Sequence, residues 1–327
     1  MTVPRRAHPG RAPATTLGLD LTALGVHTRH PSFEDLPVAT VDLPRLTSYT
    51  RAAHRGGTDF VALGPDFRAR SDEEVRPDAW LDPVVTARRL GSRAGAGVVA
   101  SVPADAELAP VAAALAQRRM GPGAWTGLQL SERGEPDDAV RALGEIRGTF
   151  SHLRYAPPPV ILAADSDEAL EAGAGVADAV RIRERDRTWA REVRYAVRAA
   201  ARAAGREDVR VLVDLHIVVA ADRTAAEARA ELVADIDGPD SPGAVGLAVV
   251  GTAADVADLI HTWVEAGAAD GFVILPGSLR ADVQPFLREV VPELRVRGLL
   301  PPRRTPAPTA AVTRPATHHS LVKEPVP

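Results

Sequence analysis

A chain of 327 residues with 45% hydrophobic and 25% charged residues has the composition of an ordinary globular protein and can bury one large core. A net charge of -4 and only 4% aromatic residues give no basis for nucleic-acid binding, and the absence of cysteine excludes disulfides, thiol catalysis and thiolate metal sites. No apolar run approaches the ~20 residues of a membrane helix, and the opening MTVPRRAHPGRAP lacks the apolar core of a secretory signal, so a cytoplasmic protein is expected.

Residues 1–14 read as a disordered arm, followed by a single domain over 15–300 and a Pro-rich disordered tail over 301–327. Within the domain, strands and helices alternate. Strands are expected at Thr16–Leu21, Phe60–Leu63, Gly97–Val102, Gly127–Leu130, Val160–Ala163, Ala179–Ile182, Val211–Val219 and Gly271–Leu275. Most are short and apolar on both faces, as strands covered on both sides are. Helices are expected at Asp82–Leu90, Ala106–Arg119, Asp137–Arg147, Asp167–Val176, Arg187–Ala204 and Ala225–Ile236, with two more near the carboxyl end. Ser166 and Thr252 have the character of N-caps, and Gly267 that of a helix stop. Eight strands with interleaved helices match a (β/α)8 TIM barrel of ~250 residues. A doubly wound sheet is the competing architecture, but no Gly-rich nucleotide-binding turn follows any strand.

Several side chains stand where a barrel builds its site, at or beyond the carboxyl ends of strands. Arg181, Arg183 and Arg185 recur at period two, so they share one face. Arg183 and Arg185 would lie at the strand end and bind an anionic group, or else neutralise Glu184 and Asp186. Asp214 and His216 also share a face, either orienting a proton-transfer group or serving as structural polar groups. Asp20 is a candidate interior partner for an arginine. His27 and His30 follow the first strand, without the third ligand that a metal site needs. Ser101, Gln129 and Ser131 end the third and fourth strands, while Trp80 and Trp125 read as packing anchors. No Gly-x-Ser-x-Gly elbow occurs, and the one lysine, Lys323, lies in the tail, which excludes Schiff-base chemistry in the barrel.

The stretch from Val249 to Leu299 carries a more specific signal. A Gly-Thr turn opens a helix, then come Trp263, Glu265-Ala266-Gly267, Asp270-Gly271-Phe272, Val290-Val291-Pro292-Glu293-Leu294 and Arg297-Gly298. This pattern resembles the luciferase-like flavin-dependent monooxygenases. Leu81-Asp82-Pro83-Val84, Asp59-Phe60-Val61, and Gly25 with His27 fit the same resemblance further upstream.

The resemblance implies a barrel with reduced FMN or a deazaflavin at its C-terminal mouth, fed by a flavin reductase, oxidising a small organic substrate with O2. It also implies a homodimer. His27 and Asp66 are then the candidates for contact with the reacting ring or substrate. Ser101, Gln129 and Ser131 would meet the ring edge, and Arg183 and Arg185 the phosphate. The family's phosphate-gripping turn corresponds to Ala164-Asp165-Ser166-Asp167-Glu168, where Ser166 suits a donor but Asp165 and its neighbours repel a dianion. That turn reads equally as a capped helix start. The interval from Leu130 to Val160 is short for the family, so a substrate wall is expected to be missing. These departures keep a second expectation open, a degenerate homologue that acts as a binding or partner subunit.

Overall fold

The computed structural model describes residues 15–22, 43–64, 67, 69–70, 80–117, 124–131, 136–153, 156–164, 166–237 and 246–302. The expected arm and most of the expected tail lie outside these residues. Among the described residues, eleven strands occur in chain order: β1 (Thr16–Asp20), β2 (Phe60–Leu63), β3 (Ala69–Arg70), β4 (Trp80–Leu81), β5 (Gly97–Pro103), β6 (Trp125–Ser131), β7 (Val160–Ala163), β8 (Ala179–Ile182), β9 (Arg210–Val219), β10 (Leu247–Gly251) and β11 (Gly271–Pro276). The ring β1–β2–β5–β6–β7–β8–β9–β11 closes through parallel pairings back to β1, so the chain folds as a (β/α)8 barrel. All eight ring strands coincide with the expected ones. β10 is an addition, pairing parallel with the far half of β9 from Leu215 to Val219, while β3 and β4 form a separate antiparallel pair.

Helices cover the ring: α1 (Leu43–Gly56), α2 (Pro83–Ala94), α3 (Leu108–Ala116), α4 (Pro136–Leu153), α5 (Asp167–Ala174), α6 (Arg187–Ala203), α7 (Arg223–Asp237) and α8 (Ala253–Glu265). A last helical run comprises α9 (Leu279–Pro285), a π-helical turn (Phe286–Val290) and α10 (Val291–Val296). Their starts follow local chemistry. The Asp82, Ser166 and Asp186 side chains accept hydrogen bonds from the N–H groups of Val85, Ala169 and Trp189, fixing the starts of α2, α5 and α6. Thr252 and Asp255 form a reciprocal capping box on α8, and its hydrogen bonds to the backbone and hydroxyl of Thr252 hold the Asp255 carboxyl below its ordinary range. At the other end of α8, Gly267 takes a φ of 69° and the Ala268 N–H returns to the Trp263 carbonyl, a Schellman stop that favours glycine.

Strand alternation divides the side chains between two cores. Leu17, Leu19, Val61, Leu63, Val98 and Leu130 point outward and are buried under the helices. Phe60, Ala62, Val99, Ile161, Leu212 and Val273 form a separate buried cluster joined by Trp125, which fills the lower lumen. Phe60 and Trp125 lie with ring centroids 6.2 Å apart. They fit only because the facing positions are glycines: a Cβ on Gly18 would come within 2.5 Å of the Phe60 ring, and one on Gly97 within 2.4 Å of Trp125. The reading of Trp125 as a packing anchor matches this position.

The N-terminal end of the ring is tied by charge. Asp270, just before β11, accepts from Arg194 at 2.7 Å and Arg198 at 2.6 Å on α6, and from the Val211 N–H at 3.0 Å on β9. The carboxylate is nearly enclosed, so removing it takes the counter-charge from two partly buried guanidinium groups, of which Arg194 keeps only the Gly267 carbonyl, and leaves a strand N–H without this acceptor. Asp270→Ala is expected to lower unfolding free energy by about 3 kcal/mol, measured by urea denaturation, without altering ligand binding at the opposite end of the barrel.

Candidate active site

The upper lumen reverses the character of the lower. Period-two alternation sends Asp20 of β1, Ser101 of β5, Gln129 of β6, Arg181 of β8, and Asp214 and His216 of β9 inward near the C-terminal ends of their strands. All but Asp20 are less than a tenth exposed. Barrel enzymes build their sites at this end.

Arg181 organises the layer. Its Nε donates to Asp214 Oδ1 at 2.5 Å, its Nη1 donates to Gln129 Oε1 at 2.8 Å, and its Nη2 lies 3.5 Å from Asp20 Oδ2. The other Asp20 oxygen accepts from the Thr22 N–H at 2.8 Å, which fixes that carboxylate at the end of its strand. One guanidinium thus joins three other strands across the lumen. Burial would depress its pKa, but Asp214 and Asp20 more than offset that and raise it. Burial pushes the Asp214 carboxyl up; Arg181 opposes this, Asp20 adds to it, and Arg183 pulls weakly the other way. The imidazole of His216 sits beneath the turn after β11, where a Cβ on Gly277 would come 3.4 Å from the ring.

A second buried ion pair braces that turn. Asp282, fully enclosed at the start of the last helical run, accepts from the Ser278 N–H at 2.7 Å and the Val219 N–H at 2.8 Å. Arg229 of α7 donates to both its oxygens at 3.0 and 3.1 Å. The carboxyl ends of β9 and β11 are therefore held by one carboxylate. The sequence offers no sign of this pair, because its members lie 53 residues apart on different helices.

The expected site residues separate into three groups. Ser101 and Gln129 come together in the upper lumen, where Gln129 already accepts from Arg181, and Ser131 is half-buried at the end of β6. Arg183 and Arg185 fall beyond β8 and are exposed. Glu184, which they were expected to neutralise, instead accepts the N–H groups of Arg185 and Asp186 at 2.7 and 2.8 Å. Arg183 borders a pocket of about 330 Å³ outside the ring, lined also by Asp167, Leu170, Ile182, Trp189 and Val193. It thus faces the same pocket as the turn that opens α5, while Arg185 does not. Ser166 is the cap of α5, and its oxygen accepts from the Ala169 N–H at 3.3 Å. His27, His30, Asp66 and Asp165 lie outside the described residues. Among the described residues, no cluster of three metal-binding side chains occurs, and no helix is long and apolar enough to cross a membrane.

With this geometry in place, the molecule is a (β/α)8 barrel by fold, and it is similar to several solved enzymes of that architecture. EDTA monooxygenase from Chelativorans sp. BNC1 superposes with a TM-score of 0.67 over 88% of this chain and 95% of its own, at 18% identity. Riboflavin lyase, solved with modified FMN and riboflavin, gives a TM-score of 0.64 over 88% and 93% of the chains at 16% identity. An F420-dependent secondary alcohol dehydrogenase, solved with an F420–acetone adduct, gives 0.60 over 86% and 99% at 14% identity. No protein-family model and no curated protein sequence matches the chain.

Removing Arg181 isolates two carboxylates in the lumen. Arg181→Met is expected to cost about 3–5 kcal/mol of stability, and adding Asp214→Leu should recover part of that loss because the more deeply buried of the two carboxyl groups left without Arg181 is gone. A double-mutant cycle in guanidinium chloride reads both changes.

Proposed function

We propose that the chain is a flavin-dependent oxidoreductase, and specifically a monooxygenase that uses reduced FMN or a deazaflavin with O2 on a small organic substrate. The observation that carries this reading is the polar layer above an apolar plug, set at the C-terminal mouth of a barrel whose structural neighbours include FMN- and F420-bound enzymes. Below Arg181 the lumen is filled by Phe60 and Trp125, so a planar ring entering from the mouth would rest at the level of Ser101, Gln129 and His216. Those groups are of the kind that hydrogen-bond the polar edge of a flavin ring, which supports this reading. The bound flavin would supply electron transfer and oxygen activation, and the protein orientation, dryness and electrostatics.

The chain's own contributions follow from burial and charge. Ser101 and Gln129 would orient the ring through its polar edge. Asp214 and His216, on the same face of β9, stand ready to hold or move a proton beside it. The upper layer is buried under the strand ends, and polar interactions are worth more there than in water. At the phosphate end, Arg183 favours an anion, whereas the Asp167 and Glu168 carboxylates at the start of α5 oppose it. His27 and Asp66 remain the candidates for contact with the reacting centre from the mouth loops. A flavin reductase is the proposed source of reduced cofactor, and a homodimer the proposed assembly.

A second reading rests on the same acidic turn and on the short β6–β7 connection, which contains the single helix α4. It makes the protein a partner or binding subunit that has kept the barrel and lost the flavin.

Anaerobic equilibrium titration with reduced FMN and with reduced F420 separates the two. Micromolar binding of either, together with substrate-dependent oxygen uptake when a reductase is added, is expected. Absence of binding to both overturns the flavin reading. Asp165→Gly combined with Asp167→Ser should tighten FMN binding about tenfold, the effect of relieving ~1.4 kcal/mol of like-charge repulsion. F420 carries its negative charge differently, so the ratio of the two affinities should shift in the same variant.

A further inference from the structure

The charge count in the upper lumen does not balance. Asp20 and Asp214 contribute two negative charges and Arg181 one positive, leaving a net -1 in a layer that is almost wholly enclosed. Among the described residues, the other elements facing it do not correct this. β5 and β6 present neutral Ser101 and Gln129, and β2 and β11 present Ala62 and Val273. Arg183 of β8 is exposed to water, which screens its effect on the interior. Among the described residues, His216 of β9 is the other titratable group at this level of the inner face, with Arg210 lower down at the opposite end of the strand.

An uncompensated buried charge is expensive, and proteins commonly escape the cost by changing protonation instead. The two carboxylates are held unequally. Asp20 is better exposed and accepts the Thr22 N–H at 2.8 Å, both of which favour its charge, whereas Asp214 is more deeply buried and, although the guanidinium touches it at 2.5 Å, bears the larger desolvation cost.

We propose that Asp214 holds a proton beside Arg181, making a neutral triad with Asp20 that keeps a carboxylic acid in the upper lumen as the proton donor for a molecule bound above it. The proton resides mainly on Asp214, the more deeply buried of the two, and the direction of its titration agrees: burial and the neighbouring Asp20 both raise it. Donation breaks the O–H bond of that acid and leaves an Asp214 carboxylate facing Arg181, which restores the net -1. Uptake of a proton from water at the open end of the lumen resets the triad. Arg181 acts through Asp214 and is a positioning residue.

The proton store does not depend on the flavin reading; only the use made of the proton does. It is therefore tested on the protein without any cofactor, by pH-dependent infrared difference spectroscopy. The wild type is expected to keep one protonated-carboxyl band above the range in which exposed carboxylates titrate. Asp214→Asn should abolish that band. Asp20→Asn leaves Arg181 facing a single carboxylate, so the charges cancel without a proton and the Asp214 band should titrate lower, within the ordinary carboxylate range.

Stability supplies a second readout. A carboxyl whose pKa is raised by folding stabilises the native state at low pH and loses that contribution as pH rises through the folded value. The wild type should show this decline, and Asp20→Asn should flatten it, which loss of packing alone would not do. Titration of every carboxyl in its ordinary range would overturn the proposal. So would nitrogen-15 spectra that place the compensating proton on the His216 imidazole. Adding reduced FMN afterwards distinguishes the two readings: a protein that binds no FMN but keeps the band retains the proton store and loses the flavin function.

Discussion

A guanidinium placed inside a closed barrel dictates what must surround it. It cannot be deprotonated and cannot be left bare, so acceptors have to arrive from other strands. Arg181 receives them from β6 and β9, with a third from β1. Those strands are not sequence neighbours, and the barrel's register is what brings their inward positions to one level. A slip of one residue in β9 would turn Asp214 and His216 out among the helices and bring Val213 and Leu215 inward. The buried pair therefore specifies the closed ring, beyond whatever net stability it adds. The apolar floor supports the same arrangement, because Phe60 and Trp125 fill the space below and leave the polar layer nowhere to go but the mouth.

The two ends of the barrel divide labour. At the N-terminal end, Asp270 ties α6 to β9 and β11 through a fork of arginines. At the C-terminal end, Asp282 and Arg229 clamp the turn after β11 onto β9, directly over the His216 ring. One charged clamp is distant from the polar layer and one forms its roof. Substitutions at the first should act through folding alone. Substitutions at the second change folding and the shape of the mouth together.

The same division explains what was readable from residues. The ring strands were legible because parallel strands covered on both sides are short, unbroken apolar runs. α1 was not, because its inner face carries Thr47 and Thr50 beside Leu43, Leu46 and Ala53, which blurs the apolar period. β10 was missed because Val249–Gly251 runs straight into the capping box at Thr252 and reads as a lead-in to the helix. The family-like residues near the carboxyl end prove to be anchors and packing: Asp270 holds α6, Trp263 meets Phe272 edge-on at 6.5 Å, and Gly267 ends α8. They testify to the fold and are silent on chemistry. For the site, Asp20 was readable as an arginine's partner and Asp214 with His216 as one face. Which arginine turned inward was not, since period two places Arg181, Arg183 and Arg185 on one face and Arg183 and Arg185 were expected to build the site from just beyond the strand. It ends at Ile182, so only Arg181 is enclosed.

That boundary also decides how the two ends of a flavin would be held. Arg183, one step beyond the strand, escapes to the pocket beside α5, where it meets the acidic start of that helix. There, one exposed cation stands against two carboxylates in water-screened surroundings, where each pairwise contribution is about 1 kcal/mol or less. Inside, the polar groups of the upper layer act with little screening, and each interaction is stronger. Under the flavin reading, recognition must therefore fall on the ring and not on the phosphate. A barrel arranged in that way discriminates between ring systems by their polar edges and protonation states, and is comparatively indifferent to the charge carried on the tail.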